Sequence, residues 1–421
     1  MKTIRYKPVD FSSPIEINLS SSKSISNRAL LLQALSKHKF ALNNISDADD
    51  TKLMLEALSG DCKTINLKNA GTCMRFLTAY FSCIENKEIM LQCDERMKQR
   101  PIKNLVDSLK ELGAEIIYLE EENFPSLKII GKKLIGKNIS INASQSSQFV
   151  SALMLIAPFI ENGLTIDLVD EISSKSYIEM TADLMNNLGF EVLFSGSKIS
   201  IKQQKINSTF NQSNSYSIEP DWSSAAFWFQ VVALNSDIKI FLKNLSHQSI
   251  QGDKIIENLM KRFSVHSSEI IFNGTNGILI ENKKSINSLN DISINFTSNP
   301  DLVPVYAVTC AALNLKTNLI GLKNLKIKES DRLVAINEEL NNLGFETQIV
   351  NDELQINNTL HQRFNMSSNQ IMNTRKDHRI AMAFAPLVFL FDEIKMNDTD
   401  VVIKSYPDFW LEAKKVGIEL V

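Results

Sequence analysis

Along this 421-residue chain, apolar and polar positions fall into one block that recurs six times. A polar start opens an amphipathic helix, the helix stops at a small residue, and a short β-prone run follows. The 3.6-residue spacing predicts these helices over Asp50 to Gly60, Ile102 to Gly113, Ile178 to Gly189, Gln251 to Ser264, Asp331 to Gly344 and Asp408 to Gly417. AEIIYL, FEVLF, FETQIV and IEL supply strands after four of them. Gly113, Gly189, Gly344 and Gly417 stand where a residue of positive φ closes a helix. Apolar helices are predicted over Phe76 to Phe81, Phe149 to Ile160, Ala225 to Leu234 and Ile380 to Phe391. A period of about 70 residues exceeds that of common solenoids, so the pattern predicts six α+β units grouped into two lobes.

Two Asn- and Ser-rich stretches, Gln203 to Ser217 and Asn357 to Asn369, read as linkers. Glu219, Pro220, Asp221 and then an apolar helix follow the first, which therefore sets the lobe boundary and gives one lobe of about 200 residues.

Composition narrows the function classes. The 44% hydrophobic and 22% charged content is that of an ordinary globular protein. A net charge of −3 argues against a generic binder of nucleic acid or membrane surface, so any anion site has to come from local clustering. The five cysteines (Cys62, Cys73, Cys83, Cys93, Cys310) contain no CxxC pair and read as reduced cytosolic thiols. Five scattered histidines without HExxH argue against a catalytic metal. Met1 to Asp10 has no apolar signal core, and Phe149 to Ile160 is too short to span a bilayer, so the expectation is a soluble cytoplasmic protein.

The candidate chemistry lies at helix starts. Lys23 to Arg28 (KSISNR) places an ammonium, a guanidinium and hydroxyls where unpaired N–H groups and a positive dipole end suit phosphate or carboxylate. Ser20, Ser21 and Ser22 replace the glycines that a nucleotide loop needs, and taken alone the segment is also what a capped surface helix looks like. Asn69 to Arg75 forms a small-residue turn in which Gly71 lets backbone approach a ligand, or a plain strand-to-helix turn. Asp94 to Pro101 packs three cations beside a helix start with Pro101 at N1, or is a solvated charge run. Ser146-Ser147-Gln148 and Ser174-Lys175-Ser176-Tyr177 are caps or hydroxyl platforms.

The sharpest cluster runs from Asn324 to Arg332. Read as strand-like, it puts Lys326 and Lys328 on one face and Glu329 on the other. A glutamate among such cations stays ionised unless a bound anion or burial raises its pKa, the condition a general acid needs. Asp377-His378-Arg379 and Lys404 to Phe409 complete the set, although a lone His378 is more often a structural hydrogen-bonder. The clusters hold more Lys and Arg than one phosphate requires, which predicts two anionic ligands or one with phosphate and carboxylate at opposite ends.

LSSSKSISNRALLLQAL, SDADDTKLMLEAL, NAGTCMRFLTA, ERMKQRPI, SSQFVSALMLIAP, SKSYIEMT, PDWSSAAFW, KESDRL, DHRIAMAF and KSYPDF stand in an order that resembles the 5-enolpyruvylshikimate-3-phosphate synthase family, from about residue 5 to about residue 418. The resemblance implies an α/β (α+β) fold. Six βαβαββ-type repeats, three per lobe, would form a two-lobed inside-out α/β barrel. Residues 1–18 with 219–421 would make lobe I and residues 19–218 lobe II, with the active site in the cleft. It further implies a cytoplasmic monomer that needs no cofactor. The enzyme would transfer the enolpyruvyl group of phosphoenolpyruvate to the 5-hydroxyl of shikimate 3-phosphate through a tetrahedral ketal, releasing phosphate.

Carried over by motif, Lys23, Ser24, Arg28, Ser146, Ser147, Gln148, Ser174, Tyr177, Asp301, Asn324 and Lys328 would hold shikimate 3-phosphate. Lys23, Asn69, Gly71, Arg96, Gln148, Glu329, Arg332, Arg379 and Lys404 would serve phosphoenolpyruvate. Glu329 is expected as the acid and Asp301 as the base, with Lys23 assisting and His378 close by. The chain departs from the family at Ser20 and Ser21 (usually Pro-Gly), at Phe76 (usually Pro after the Arg of NAGT) and at Ser176 (usually Pro). Those changes bear on loop geometry and on the response to glyphosate.

Two other readings compete. The sister transferase acting on UDP-N-acetylglucosamine carries a reactive Cys before its RP dipeptide; Cys93 lies seven residues before Arg100, two too many, and Glu95 takes the expected place. A non-catalytic phosphate-binding repeat protein would explain the cationic helix starts. It would not explain Asp301, Glu329 and His378 in the same motifs.

Overall fold

A computed structural model describes residues 1–36, 40–204, 215–283, 292–357 and 371–421. Most of both Asn- and Ser-rich stretches, namely 205–214 and 358–369, lies outside the described residues. The chain divides into a terminal unit, Met1–Ser20 with Glu219–Val421, and a central unit, Ser21–Ile218.

The central unit contains helices α1 (Lys23–Leu35), α2 (Asp49–Ser59), α3 (Gly71–Ser82), α4 (Lys103–Glu111), α5 (Ser147–Ile156) and α6 (Lys175–Asn187). In one of its sheets Thr64–Asn66 runs parallel to Glu88–Gln92, which pairs antiparallel with Leu127–Ile130, itself antiparallel to Glu115–Tyr118. Alternation sets the faces: Ile89 and Leu91 are buried while Glu88 and Gln92 are exposed. Four further sheets, three of them in the terminal unit, repeat that order of one parallel and two antiparallel pairings. The sixth, among the described residues, is a parallel pair, Ala41–Asn43 with Ser215–Ser217. The sixfold repeat in the sequence is thus a sixfold repeat of sheets, three per unit.

The terminal unit holds α7 (Trp222–Leu234), α8 (Val303–Ala312), α9 (Arg332–Asn342), α10 (His378–Phe384) and α11 (Phe409–Lys415). Helix α7 is buried on nearly every side and packs with Tyr306, Tyr406 and Phe409 into one core. The first strand, Lys2–Tyr6, lies antiparallel between Glu393–Met396 and Ile418–Leu420. No helix of the described residues is long and apolar enough to cross a membrane.

Gly113, Gly189, Gly344 and Gly417 have φ of 106°, 84°, 89° and 82° and close their helices as expected. Four local expectations are corrected. Lys326 to Glu329 is not strand-like: Lys323–Ile327 is a 3₁₀ turn pinned by the buried Leu325, whose N–H meets the Leu322 carbonyl at 2.9 Å. Pro101 lies outside α4 rather than at N1, because the Ile102 carbonyl accepts the first helical bonds from Leu105 and Val106. Gln251 to Ser264 is a short helix, Ile256–Met260, between two 3₁₀ turns. Ile380 to Phe391 is interrupted at Ala385–Leu387, where Pro386 removes an N–H from the ladder.

Candidate active site

In the central unit the polar residues gather at the first turns of neighbouring helices. Ser22 caps α1 by accepting from the Ile25 N–H, and Lys23 opens the helix with its Nζ 3.0 Å from Asp50 Oδ2 at the start of α2. Ser146 caps α5 by accepting from the Gln148 N–H at 3.2 Å, with Ser147 buried beside it. Gln148 then donates to Thr72 Oγ1 at the start of α3, 3.0 Å away. Ser174, buried with φ of 54°, turns the chain into α6, one turn of which leads to Tyr177.

Arg28 is the most enclosed cation of this set, 2% exposed. Its Nη1 donates to the Ser24 carbonyl at 2.9 Å, its Nε to Thr181 Oγ1 at 2.7 Å and its Nη2 to Ser151 Oγ at 3.2 Å. Burial draws its pKa down to about 10, and Tyr177 acts slightly in the other direction.

Asn69 belongs to the turn that delivers Gly71 to the first position of α3. Arg96 sits in the single helical turn Glu95–Lys98 and hydrogen-bonds Gln99 Oε1 at 3.2 Å. Two buried guanidiniums reach Gly71: that of Arg100 and that of Arg75, whose Nη1 donates to the Gly71 carbonyl at 3.1 Å. A Cβ built on Gly71 would lie 2.5 Å from Arg100 Nη1 and 2.6 Å from Arg75 Nη1, so the missing side chain is the room they occupy.

In the terminal unit the starts of α8, α9 and α10 meet at Arg332, 1% exposed. Its guanidinium donates to Asp301 Oδ1 at 2.9 Å, Glu329 Oε2 at 2.7 Å and Asp377 Oδ2 at 2.8 Å. Arg379 Nη2 reaches Asp301 Oδ2 at 3.0 Å, Lys328 Nζ reaches Oδ1 at 3.3 Å, and Lys404 Nζ stands 3.8 Å from Glu329 Oε1. Asn324 sits in the 3₁₀ turn just ahead, and His378 opens α10 with Nδ1 3.8 Å from Asp377 Oδ1. Burial alone would raise the Asp301 carboxyl, but Arg379, Lys328 and Arg332 hold it well below the usual carboxylate range. Arg332 is pulled down by burial and raised further by Asp377, Glu329 and Asp301, so its charge is permanent.

The sequence named these motifs without the contacts that hold them. Asp377 accepts from Arg332, from Ser330 Oγ at 3.1 Å and from the Arg379 N–H at 3.0 Å, so it fixes α9 and α10 together. Asp253, also buried, accepts from Ser223 Oγ at 2.5 Å and from Asn299 Nδ2 at 3.2 Å, anchoring the turn that carries Asp301. Its pKa is raised by burial and then by Asp301. Asp253 stands in Gln251-Gly252-Asp253 with no flanking pattern to flag it. Four cations around two solvent-side carboxylates can bind an anion, stabilise charge on a leaving phosphate and move a proton at one place.

The family model described as EPSP synthase (3-phosphoshikimate 1-carboxyvinyltransferase) matches residues 12–60 and 58–412. A 3-phosphoshikimate 1-carboxyvinyltransferase of Bacteroides fragilis (strain YCH46) is 39% identical over 402 residues, 95% of each chain. One of Haemophilus influenzae is 34% identical over 432 residues, 96% of each. Among solved structures, EPSP synthase from Acinetobacter baumannii superposes with a TM-score of 0.76 at 19% identity, covering 100% of this chain and 99% of that one. That likeness gives the fold, the inside-out α/β type built of two three-repeat lobes.

Proposed function

The chain belongs to the EPSP synthase family, and from that premise we propose how its residues transfer the enolpyruvyl group of phosphoenolpyruvate to the 5-hydroxyl of shikimate 3-phosphate with release of phosphate. The acceptor is held by the central-unit set, Lys23, Ser24, Arg28, Ser146, Ser147, Gln148, Ser174 and Tyr177, completed by Asp301, Asn324 and Lys328. The donor is held by Arg332, Arg379 and Lys404, with Lys23, Asn69, Gly71, Arg96 and Gln148. Arg75 and Arg100 lie against Gly71 and back that turn.

Addition requires a proton at C3 of phosphoenolpyruvate, a bond from the acceptor O5 to C2, and loss of the O5 proton. Glu329 supplies the C3 proton and takes one back when phosphate leaves the ketal. Asp301, held so low by its three cations, is a weak proton acceptor at rest. It therefore binds the 5-hydroxyl as a hydrogen-bond acceptor and receives its proton only as O5 becomes acidic on attack, with Lys23 assisting, and that proton is given up again to the departing phosphate. Each positioned acid or base contributes about 10²- to 10⁴-fold. The single observation carrying the reading is the set Asp301, Lys328, Glu329, Arg332, Arg379 and Lys404 in one ionic network. A simple phosphate binder has no use for two carboxylates there. Its free cysteines fit a cytoplasmic enzyme, and the family suggests a monomer.

The test is phosphate release by the purified protein given phosphoenolpyruvate with shikimate 3-phosphate, or with UDP-N-acetylglucosamine, and each substrate alone. Release with shikimate 3-phosphate only is expected. Release with the nucleotide sugar only, or with neither acceptor, overturns the reading.

A further inference from the structure

Phe76 stands where the family has proline, and the reaction as described makes no use of it. It is fully buried in the second turn of α3, and the Arg28 guanidinium lies over its ring, 5.1 Å from the centroid. Arg28 differs from Arg332 in one respect. Three carboxylates surround Arg332, whereas among the described residues no carboxylate contacts Arg28.

The contacts of Arg28 are neutral and close on themselves. The Thr181 hydroxyl donates to the Tyr177 carbonyl at 2.7 Å, so at the 2.9 Å contact between the two hydroxyls it is Ser151 that donates to Thr181. Both oxygens then accept from Arg28. Three of the five guanidinium N–H groups are used in this way and two remain, as many as a bidentate clasp on a carboxylate or phosphate takes. Hydroxyls and a carbonyl satisfy N–H groups at the guanidinium edge. Its flat face is poorly hydrated and is matched by the negative face of an aromatic ring, which proline or leucine cannot offer.

We propose that Phe76 is a positioning residue for the acceptor: its ring face holds the Arg28 guanidinium in place while no counter-ion is present, leaving two N–H groups for the acceptor's anionic group. The proposal rests on the reading of Arg28 as an acceptor-binding residue. Without the ring, a buried cation with no carboxylate turns toward water in the free protein, and the acceptor has to bring it back. The cost falls on acceptor affinity and leaves the donor site alone.

The experiment uses the full chain with Phe76 replaced by 4-fluoro-, 3,5-difluoro- and 3,4,5-trifluorophenylalanine, which keep ring shape and burial while draining the negative face. Arg28→Lys and Arg28→Gln are measured beside them. KM for shikimate 3-phosphate is expected to rise stepwise with fluorination, reaching about 10-fold, equivalent to about 1.4 kcal/mol. KM for phosphoenolpyruvate and kcat stay within about twofold. In an Arg28→Gln background, where KM for shikimate 3-phosphate has already risen, the fluorine series loses most of its slope, since no cation faces the ring. A flat fluorine series together with a raised acceptor KM in Arg28→Lys overturns the role of Phe76 and spares that of Arg28. An unchanged acceptor KM in Arg28→Lys overturns the reading of Arg28 and the proposal with it.

Discussion

Replacing Gly71 with alanine separates binding from folding at one position. The new Cβ would sit 2.5 Å from Arg100 Nη1 and 2.6 Å from Arg75 Nη1, against about 3.4 Å for ordinary contact, so Arg100 has to retreat by about 0.9 Å. Both obstructing atoms are the ends of flexible side chains, and Gly71 is not among the glycines of positive φ. Alanine is also the better helix former, so the fold loses little. The new methyl and the displaced guanidiniums crowd the donor's anionic group instead. A charge-assisted hydrogen bond contributes about 1.5–3 kcal/mol, and stretching it by that distance forfeits most of it. KM for phosphoenolpyruvate should rise about 10- to 100-fold in Gly71→Ala, with KM for shikimate 3-phosphate within about threefold and Tm unchanged or slightly higher. Steady-state phosphate release at varied concentrations of each substrate, beside a thermal melt, measures all three. A donor KM within twofold of the parent would refute the placement of Gly71 at the donor; a fall in Tm would refute the claim that the side chains absorb the strain.

Other outcomes follow from the terminal unit. Glu329→Gln should retain its fold, since the amide oxygen still accepts from Arg332, while kcat falls by about 10²- to 10⁴-fold; near-normal turnover would remove Glu329 from the acid's role. Asp301, whose folded pKa lies below its unfolded value of about 3.9, contributes stability that is complete above that value and is lost as pH falls through the depressed one. Urea titrations between pH 6 and pH 3 should therefore show a shallower acid limb in Asp301→Asn, and equal limbs would contradict the cation clamp. Arg375 and Lys376 have φ of 53° and 54° ahead of Asp377, a conformation that costs non-glycine residues about 1 kcal/mol each. Lys376→Gly should raise Tm by about 2–4 °C, and a lower Tm would show that the lysine side chain supplies more than the strain removes.

What the sequence made legible was local. The sixfold block and the four closing glycines depend on spacing within about 15 residues, and φ at Gly113, Gly189, Gly344 and Gly417 follows from it. The reading failed where one buried residue outweighed the pattern: Leu325 turns Lys323–Ile327 into a 3₁₀ turn although Lys326 and Lys328 alternate like a strand. Arg96 and Arg100 are one helical turn apart in one charge run, and only the packing shows that Met97 and Arg100 turn inward, with Arg100 against Gly71. Asp377, Asp253 and Asp50 were invisible as partners because Arg332, Asn299 and Lys23 lie 45, 46 and 27 residues away. A carboxylate's role there is set by which helix start it meets, and no periodicity encodes that meeting.

The pairing of Lys2–Tyr6 with Glu393–Met396 and Ile418–Leu420 also has a bearing on synthesis. A ribosome adding about 5–20 residues per second takes roughly 20–80 s to travel from Lys2 to its strand partner Met396, while Ser21–Ile218 has all its own strands after little more than half that time. The central unit can therefore finish folding on the nascent chain while the first strand waits as an unpaired edge. Nascent chains stalled near residue 240 should yield a protease-resistant core from the central unit alone, and a bulky fusion ahead of Lys2 should retard the last sheet to close without touching the first three.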